Sequence, residues 1–279
     1  MTANETTPQA ELLKRIVAWA HNTDHVRALV QTGSFAREDA LADAHSDLDI
    51  EIISDQLERL EGSINWIKDI APPLICLPFD RPAQDWATRL VIFADGVKAD
   101  FTLASPVRIA AMKRSGQLDD IYERGYRVLI DKSGLCAEMP ARRRGYPHRS
   151  LPMQPTFTAA VEEFWFEAWH IPKYLARDEL FLMQQRAWTM RELLLQMIEW
   201  HALAHNPDTD IWHNGARLAD WADPSILRDL PRTFSNCQTD LYAFRATTVL
   251  YARIARETAA AAGLSYPAEI EAAIRAMIG

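Results

Sequence analysis

The sequence predicts an α+β protein, with a sheet and flanking helices in its first half and a helical bundle in its second. Three observations predict it. Short apolar, β-branched runs recur before residue 135. Long segments with apolar residues at helical spacing fill the chain after residue 157. A proline-rich stretch, 133–156, with Pro140, Pro147, Pro152 and Pro155, separates the two. Proline fixes φ and removes a backbone donor, so no regular element is expected to run through it. Three parts follow: a domain over 1–135, a Pro/Arg-rich connector over 136–156, and a helical domain over 157–279.

The elements follow in order. Glu11 to His21 reads as a helix, and HVRALVQT (25–32) as a strand. DLDIEII (47–53) alternates, with Leu48, Ile50 and Ile52 on one face and Asp47, Asp49 and Glu51 on the other. PLICL (73–77) is a further short apolar run. Two apolar runs within 89–104 flank Asp95-Gly96, a strong hairpin signal. Beyond the connector, helices are expected over Phe157 to Leu175, with Pro172 as an end or kink, then over Asp178 to Ala204, Asp240 to Ala262 and Pro267 to Ile278. Their apolar stripes read as the packing of a bundle.

Composition narrows the function. The 279 residues carry a net charge of −8, and 48% are apolar, enough for a sizeable core. Residues 1–139 hold 15 basic and 22 acidic side chains, so the acidity is concentrated there. Such a chain is a poor generic binder of nucleic-acid phosphates and suits a small cationic molecule. Cys76, Cys136 and Cys237 are odd in number and in no metal-ligand spacing, which fits a reducing cytoplasm. The polar start and the lack of a long apolar run give no expectation of a secretory signal or membrane partner.

The informative stretch is VQTGSFAREDALADAHSDLDIEI, residues 30–52. A strand ends in Gly33-Ser34, a helix-compatible segment follows, and the next strand opens with Asp47-Leu48-Asp49. Residues i and i+2 of a strand point the same way, so Asp47 and Asp49 present two carboxylates together. Like charges this close repel, and a hard divalent cation such as Mg²⁺ relieves the cost. Gly33 permits close backbone approach, and the Ser34 hydroxyl can donate to a phosphate oxygen. Asp100, at a polar position of the strand in GVKADFTL, completes a three-carboxylate set if that strand neighbours 47–53.

These residues resemble the signature of the DNA polymerase beta-like nucleotidyltransferase superfamily: strand, Gly-Ser, a spacer of about a dozen residues, then Asp-apolar-Asp-apolar. The later order LVIFADGVKADFTL, YRVLIDKSG, FWFEAWHIPKYLARDEL and LLLQMIEW is similar to the aminoglycoside 6-adenylyltransferase (streptomycin adenylyltransferase) family, over about residues 12 to 265. Phe164, Trp165, Lys173, Arg177 and Glu179 fall on its pattern. Phe35 stands where that family usually has Arg, with Arg37 nearby.

The resemblance implies a nucleotidyltransferase-type mixed sheet plus a helical domain, with the active site in a cleft between them. It implies Asp47, Asp49 and Asp100 as catalytic and metal-binding residues. Gly33, Ser34, Arg37 and Lys173 would bind nucleotide; Glu163, Trp165 and Glu179 would bind substrate. The implied cofactor is Mg²⁺, with ATP as co-substrate. The implied reaction passes AMP to a hydroxyl of a streptomycin-like antibiotic and releases pyrophosphate, a route to antibiotic resistance. The expected partners are the antibiotic and the nucleotide, without nucleic acid or membrane, in a monomer or homodimer. Two alternatives stand beside it: transfer to another acceptor, such as a lincosamide, a protein or an RNA end, and a non-catalytic nucleotide-binding module.

Lys173 is the only lysine after residue 132, and a compact ammonium suits a triphosphate. Glu162, Glu163, Glu167 and Glu179 could face a cationic sugar or act as base, or form a solvated face; Asp100 is also a candidate base. Trp165, Trp169, Trp200, Trp212 and Trp221 read mainly as core. His201 and His205 have zinc-compatible spacing but lack further ligands, so a structural role is expected, with His213 beyond them. Arg142, Arg143 and Arg144 read as part of a solvated linker.

Overall fold

The computed structural model describes residues 7–37, 42–80, 86–234 and 240–278. Residues 38–41 of the Gly-Ser to Asp-Leu-Asp spacer and Cys237 lie outside them. The chain divides into two compact units, Met1–Pro147 and His148–Gly279.

The first unit is built on six strands: β1 (Val26–Thr32), β2 (Leu48–Ser54), β3 (Pro73–Pro78), β4 (Ala87–Phe93), β5 (Lys98–Ala104) and β6 (Arg127–Asp131). Their order across the sheet is β3-β4-β5-β2-β1-β6. The β2–β5 pair is parallel and the other pairs are antiparallel, so the sheet is mixed. The hairpin expected at Asp95-Gly96 joins β4 to β5.

Among the described residues, five helices flank the sheet: α1 (Pro8–His21), α2 (Leu57–Glu61), α3 (Asn65–Ile70), α4 (Pro106–Ser115) and α5 (Asp120–Arg124). The Thr7 side chain caps α1 by accepting from the Ala10 N–H, and Ser105 caps α4 in the same way. Period-two burial sorts the sheet into two faces. Leu48, Ile50, Ile52, Phe101 and Leu103 meet Leu12 and Ile16 of α1 and Trp66 and Ile67 of α3. On the other face Ala28, Val30, Ile53 and Ala104 meet Ile109 and Met112 of α4 and Tyr122 of α5. Asp49 and Asp100 share this second face, at the opposite strand ends from Ile53 and Ala104.

Glu51 departs from the alternation expected of β2. Although on the polar face, it is 1% exposed. Arg108 of α4 compensates it, with Nε 2.9 Å from its carboxylate, while Nη2 reaches Asp119 at 2.7 Å. The same guanidinium lies over the Trp86 ring at 3.7 Å. A buried charge is tolerated because it is paired.

The start of the connector is fastened to this unit. Glu123 accepts backbone N–H bonds from Arg143 (2.7 Å), Arg144 (2.6 Å) and Gly145 (3.1 Å). This corrects the reading of the arginine run as solvated linker: the backbone there is anchored, and the exposed Arg142 and Arg143 side chains also donate to the Glu123 and Gly116 carbonyls.

The second unit is helical: α6 (Gln154–Ala176), α7 (Leu180–His205), α8 (Leu218–Trp221), α9 (Pro224–Asp229), α10 (Asp240–Ala262) and α11 (Ala268–Ile278). Its core joins Phe164, Trp165, Met197, Ile198, Tyr251 and Ile254, with Phe164 stacked on Tyr251 at 3.6 Å between ring centroids. Helix α6 runs through Pro172 and ends one turn later. With no N–H, Pro172 leaves the Ala168 carbonyl without its i→i−4 bond, and the helix stops four residues further on. His201 contacts Glu257 at 3.1 Å, and His205 bonds the His201 carbonyl, a structural arrangement. Among the described residues, no helix is long and apolar enough to cross a membrane.

Candidate active site

The site begins with register. Parallel pairing of β2 with β5 sets Asp49 opposite Asp100, and antiparallel pairing of β1 with β2 sets Thr32 opposite Asp49. The chain leaves β1 at Thr32 and turns at once through Gly33. That turn therefore lies against the Asp49 carboxylate.

Gly33 adopts φ +66° and ψ −156°, backbone that only glycine adopts readily. A β-carbon there would come within 1.9 Å of Asp49 Oδ2. Ser34–Ala36 then form a single 3₁₀ turn rather than the helix start expected from sequence. Phosphate binding at a helix N-terminus therefore has no support here; a backbone turn and a hydroxyl remain. Phe35 packs on the core shared with α1, so an apolar side chain fits where the resembling family usually has Arg. Arg37 runs past Gly125.

The electrostatics centre on Lys98. Its ammonium lies 2.6 Å from Asp47 Oδ2 and 2.8 Å from Asp100 Oδ1. It also donates to Asp100 Oδ2 at 2.9 Å. Three carboxylates face one ammonium. Burial pushes the Asp49 carboxyl up to about 6; Asp100 and Asp47 push the same way and Lys98 opposes them. This uncancelled negative charge on hard oxygen donors fits a divalent cation such as Mg²⁺. Among the described residues no three His, Cys, Asp or Glu side chains converge closely enough to hold an ion, since Asp47 and Asp100 are directed at Lys98.

The second unit contains the remaining sequence candidates. Lys173 lies on α6 with its ammonium 4.8 Å from the Trp169 ring and 5.1 Å from that of Tyr174. Glu163 is exposed on α6, and Glu179 directly precedes α7. Glu167 is buried and paired with Arg186 at 3.0 Å. Trp165 follows the core reading and not the substrate-binding role that the resemblance implied. It is completely buried, donates to the Tyr266 hydroxyl and is covered by Arg275, so it has no surface to offer a ligand.

Lys98 was missed in the sequence. The available signal was its place two residues before Asp100 in a strand, which gives both side chains one face.

A mixed sheet with acidic strand ends gathered beside a glycine turn defines an enzyme of the nucleotidyltransferase class. The family model described as streptomycin adenylyltransferase matches residues 7–278. The chain belongs to the streptomycin adenylyltransferase family. Comparison with curated proteins finds no match. Among solved structures, the chain is similar to an aminoglycoside 6-adenyltransferase from Bacillus subtilis. Identity is 16%, coverage is 99% of this chain and 98% of that one, and the TM-score is 0.42. A nucleotidyltransferase-like protein from Exiguobacterium sibiricum is 8% identical over 91% of this chain and 77% of that one, with a TM-score of 0.33. A Thermotoga maritima CCA-adding enzyme complexed with tRNA is 14% identical over 98% and 70%, with a TM-score of 0.34.

Proposed function

We propose that the chain is an aminoglycoside adenylyltransferase: it transfers AMP from ATP to a hydroxyl of a streptomycin-like antibiotic and releases pyrophosphate. The observation that carries this reading is the convergence of Asp49 and Asp100 in register beside the Gly33 turn, in a chain of this family.

Asp47, Asp49 and Asp100 would hold Mg²⁺, which when bound supplies positive charge to the triphosphate and the departing pyrophosphate. The Gly33-Ser34 backbone and hydroxyl approach the phosphate chain, and Arg37 and Lys173 add positive charge to it. Glu163 and Glu179 face the cationic antibiotic. The acceptor hydroxyl attacks the α-phosphorus. Its oxygen–phosphorus bond forms as the bond to pyrophosphate breaks, and a site carboxylate takes its proton. The acidity of residues 1–139 favours arrival of a polycation.

The test is incubation with ATP, Mg²⁺ and a panel of aminoglycosides, with products identified by mass spectrometry. A streptomycin-type antibiotic carrying one added AMP is the expected product. Unmodified antibiotics throughout, with AMP transferred only to a lincosamide, protein or RNA end, would reject the aminoglycoside assignment.

A further inference from the structure

Lys98 is one of six lysines in the chain, and it alone lies among the three aspartates. It stands at the start of β5, two residues before Asp100, and its ammonium bridges the Asp100 carboxylate of its own strand and that of Asp47, the residue just before β2. An ammonium is a compact point charge with three donors on a flexible four-carbon stem. It occupies the same oxygen-lined niche that a hard cation bridging Asp47 and Asp100 would use. The two cannot share it, because both need the same oxygens and like charges at that range repel.

We propose that Lys98 is the resident counter-ion of the Asp47–Asp100 pair, that a divalent cation displaces it, and that the freed ammonium then turns to the phosphates of the incoming nucleotide. This rests on reading Asp47, Asp49 and Asp100 as the metal site. The device has a consequence for order of binding. Bare metal must compete with a tethered cation and binds weakly. Metal arriving with a triphosphate gives the displaced lysine a new anionic partner, so the two bind together more tightly than either alone. Lys98 thus favours the metal–nucleotide complex over free metal, which is useful in a site whose reaction needs both.

The test is titration of the full-length protein with Mn²⁺ alone, and separately with MgATP, by calorimetry. Wild type, Lys98→Met and Lys98→Gln are compared, with thermal melting as the check on folding. Removing two partly exposed ion contacts is expected to tighten Mn²⁺ binding by about tenfold. The same substitutions are expected to weaken MgATP binding by about tenfold. These opposite signs distinguish the device from general damage, which weakens both. Lys98→Gln is one atom shorter and uncharged but keeps a polar amide that can donate to a carboxylate, so it carries the comparison if Lys98→Met fails to fold. Unchanged or weaker Mn²⁺ binding in a folded variant, with normal binding by wild type, would overturn the lysine proposal alone. No saturable binding of Mn²⁺ or MgATP by wild type would overturn the metal reading of the aspartates, and this proposal with it.

Discussion

Position 33 shows how one residue governs the site. Only a side chain ending at hydrogen leaves room for Asp49 Oδ2 and also accepts φ +66° with ψ −156°. Gly33→Ala is expected to lower stability by about 1–3 kcal/mol, read by urea denaturation, and to abolish nucleotidyl transfer because Asp49 must move. Asp49 itself gives a pH signature. Its carboxyl is raised from 3.8 to about 6, by burial first and then by Asp100. Glu51 is raised from 4.5 to about 7 by burial, against the opposing pull of Arg108. In both cases the folded chain holds the proton better than the unfolded one. Their contribution is full below pH 4 and is lost as pH rises through 6 and 7. Melting temperature without divalent metal is therefore expected to fall between pH 5 and pH 8. Added Mg²⁺ should raise it more at pH 8, where Asp49 is ionised, and a metal effect independent of pH would contradict this. At this scale strand alternation and turn chemistry single out Asp47, Asp49, Asp100 and Gly33, and the fold sets Asp49 opposite Asp100 and against Gly33. Lys98 escaped because one lysine at the start of a strand looks like any solvated end, and Trp165 carried two readings, core and ligand, because aromatic residues serve both.

Among the elements, β2 and β5 matter most. Alternation revealed each strand, but their parallel pairing joins residues about fifty positions apart, and no local pattern encodes such a partner. The condition stated from sequence, that the Asp100 strand must neighbour 47–53, is met by that pairing. The segment after Gly33-Ser34 shows the opposite case. Its composition permits a helix, yet the described part forms one 3₁₀ turn, because Phe35 is drawn into the α1-side core. At the connector, Glu123 binds three consecutive backbone N–H groups. Burial raises its pKa, but the bonds from Arg144, Gly145 and Arg143 outweigh that and hold it below the usual range. Glu123→Ala leaves those donors without their acceptor and is expected to cost about 1–3 kcal/mol. It should also speed tryptic cleavage at Arg142–Arg144, and an unchanged cleavage rate would show that the anchoring is weak.

Across the whole molecule, each unit carries its own core: two apolar layers around a mixed sheet in the first, and interlocked helices around Phe164, Trp165 and Tyr251 in the second. The division between the units falls at Pro147, within the proline-rich stretch, a run that few regular elements tolerate. The match to the streptomycin adenylyltransferase family spans both units. Asp49 is central to the proposed chemistry, being interior to the sheet, opposite Asp100 and against Gly33. The decisive measurement is the rate of pyrophosphate release with ATP, Mg²⁺ and streptomycin, compared between the wild type and a folded Asp49→Asn variant. Release that depends on antibiotic in the wild type, and falls by at least about a thousandfold in the variant, is the expected result. Equal rates in the two proteins would contradict the account.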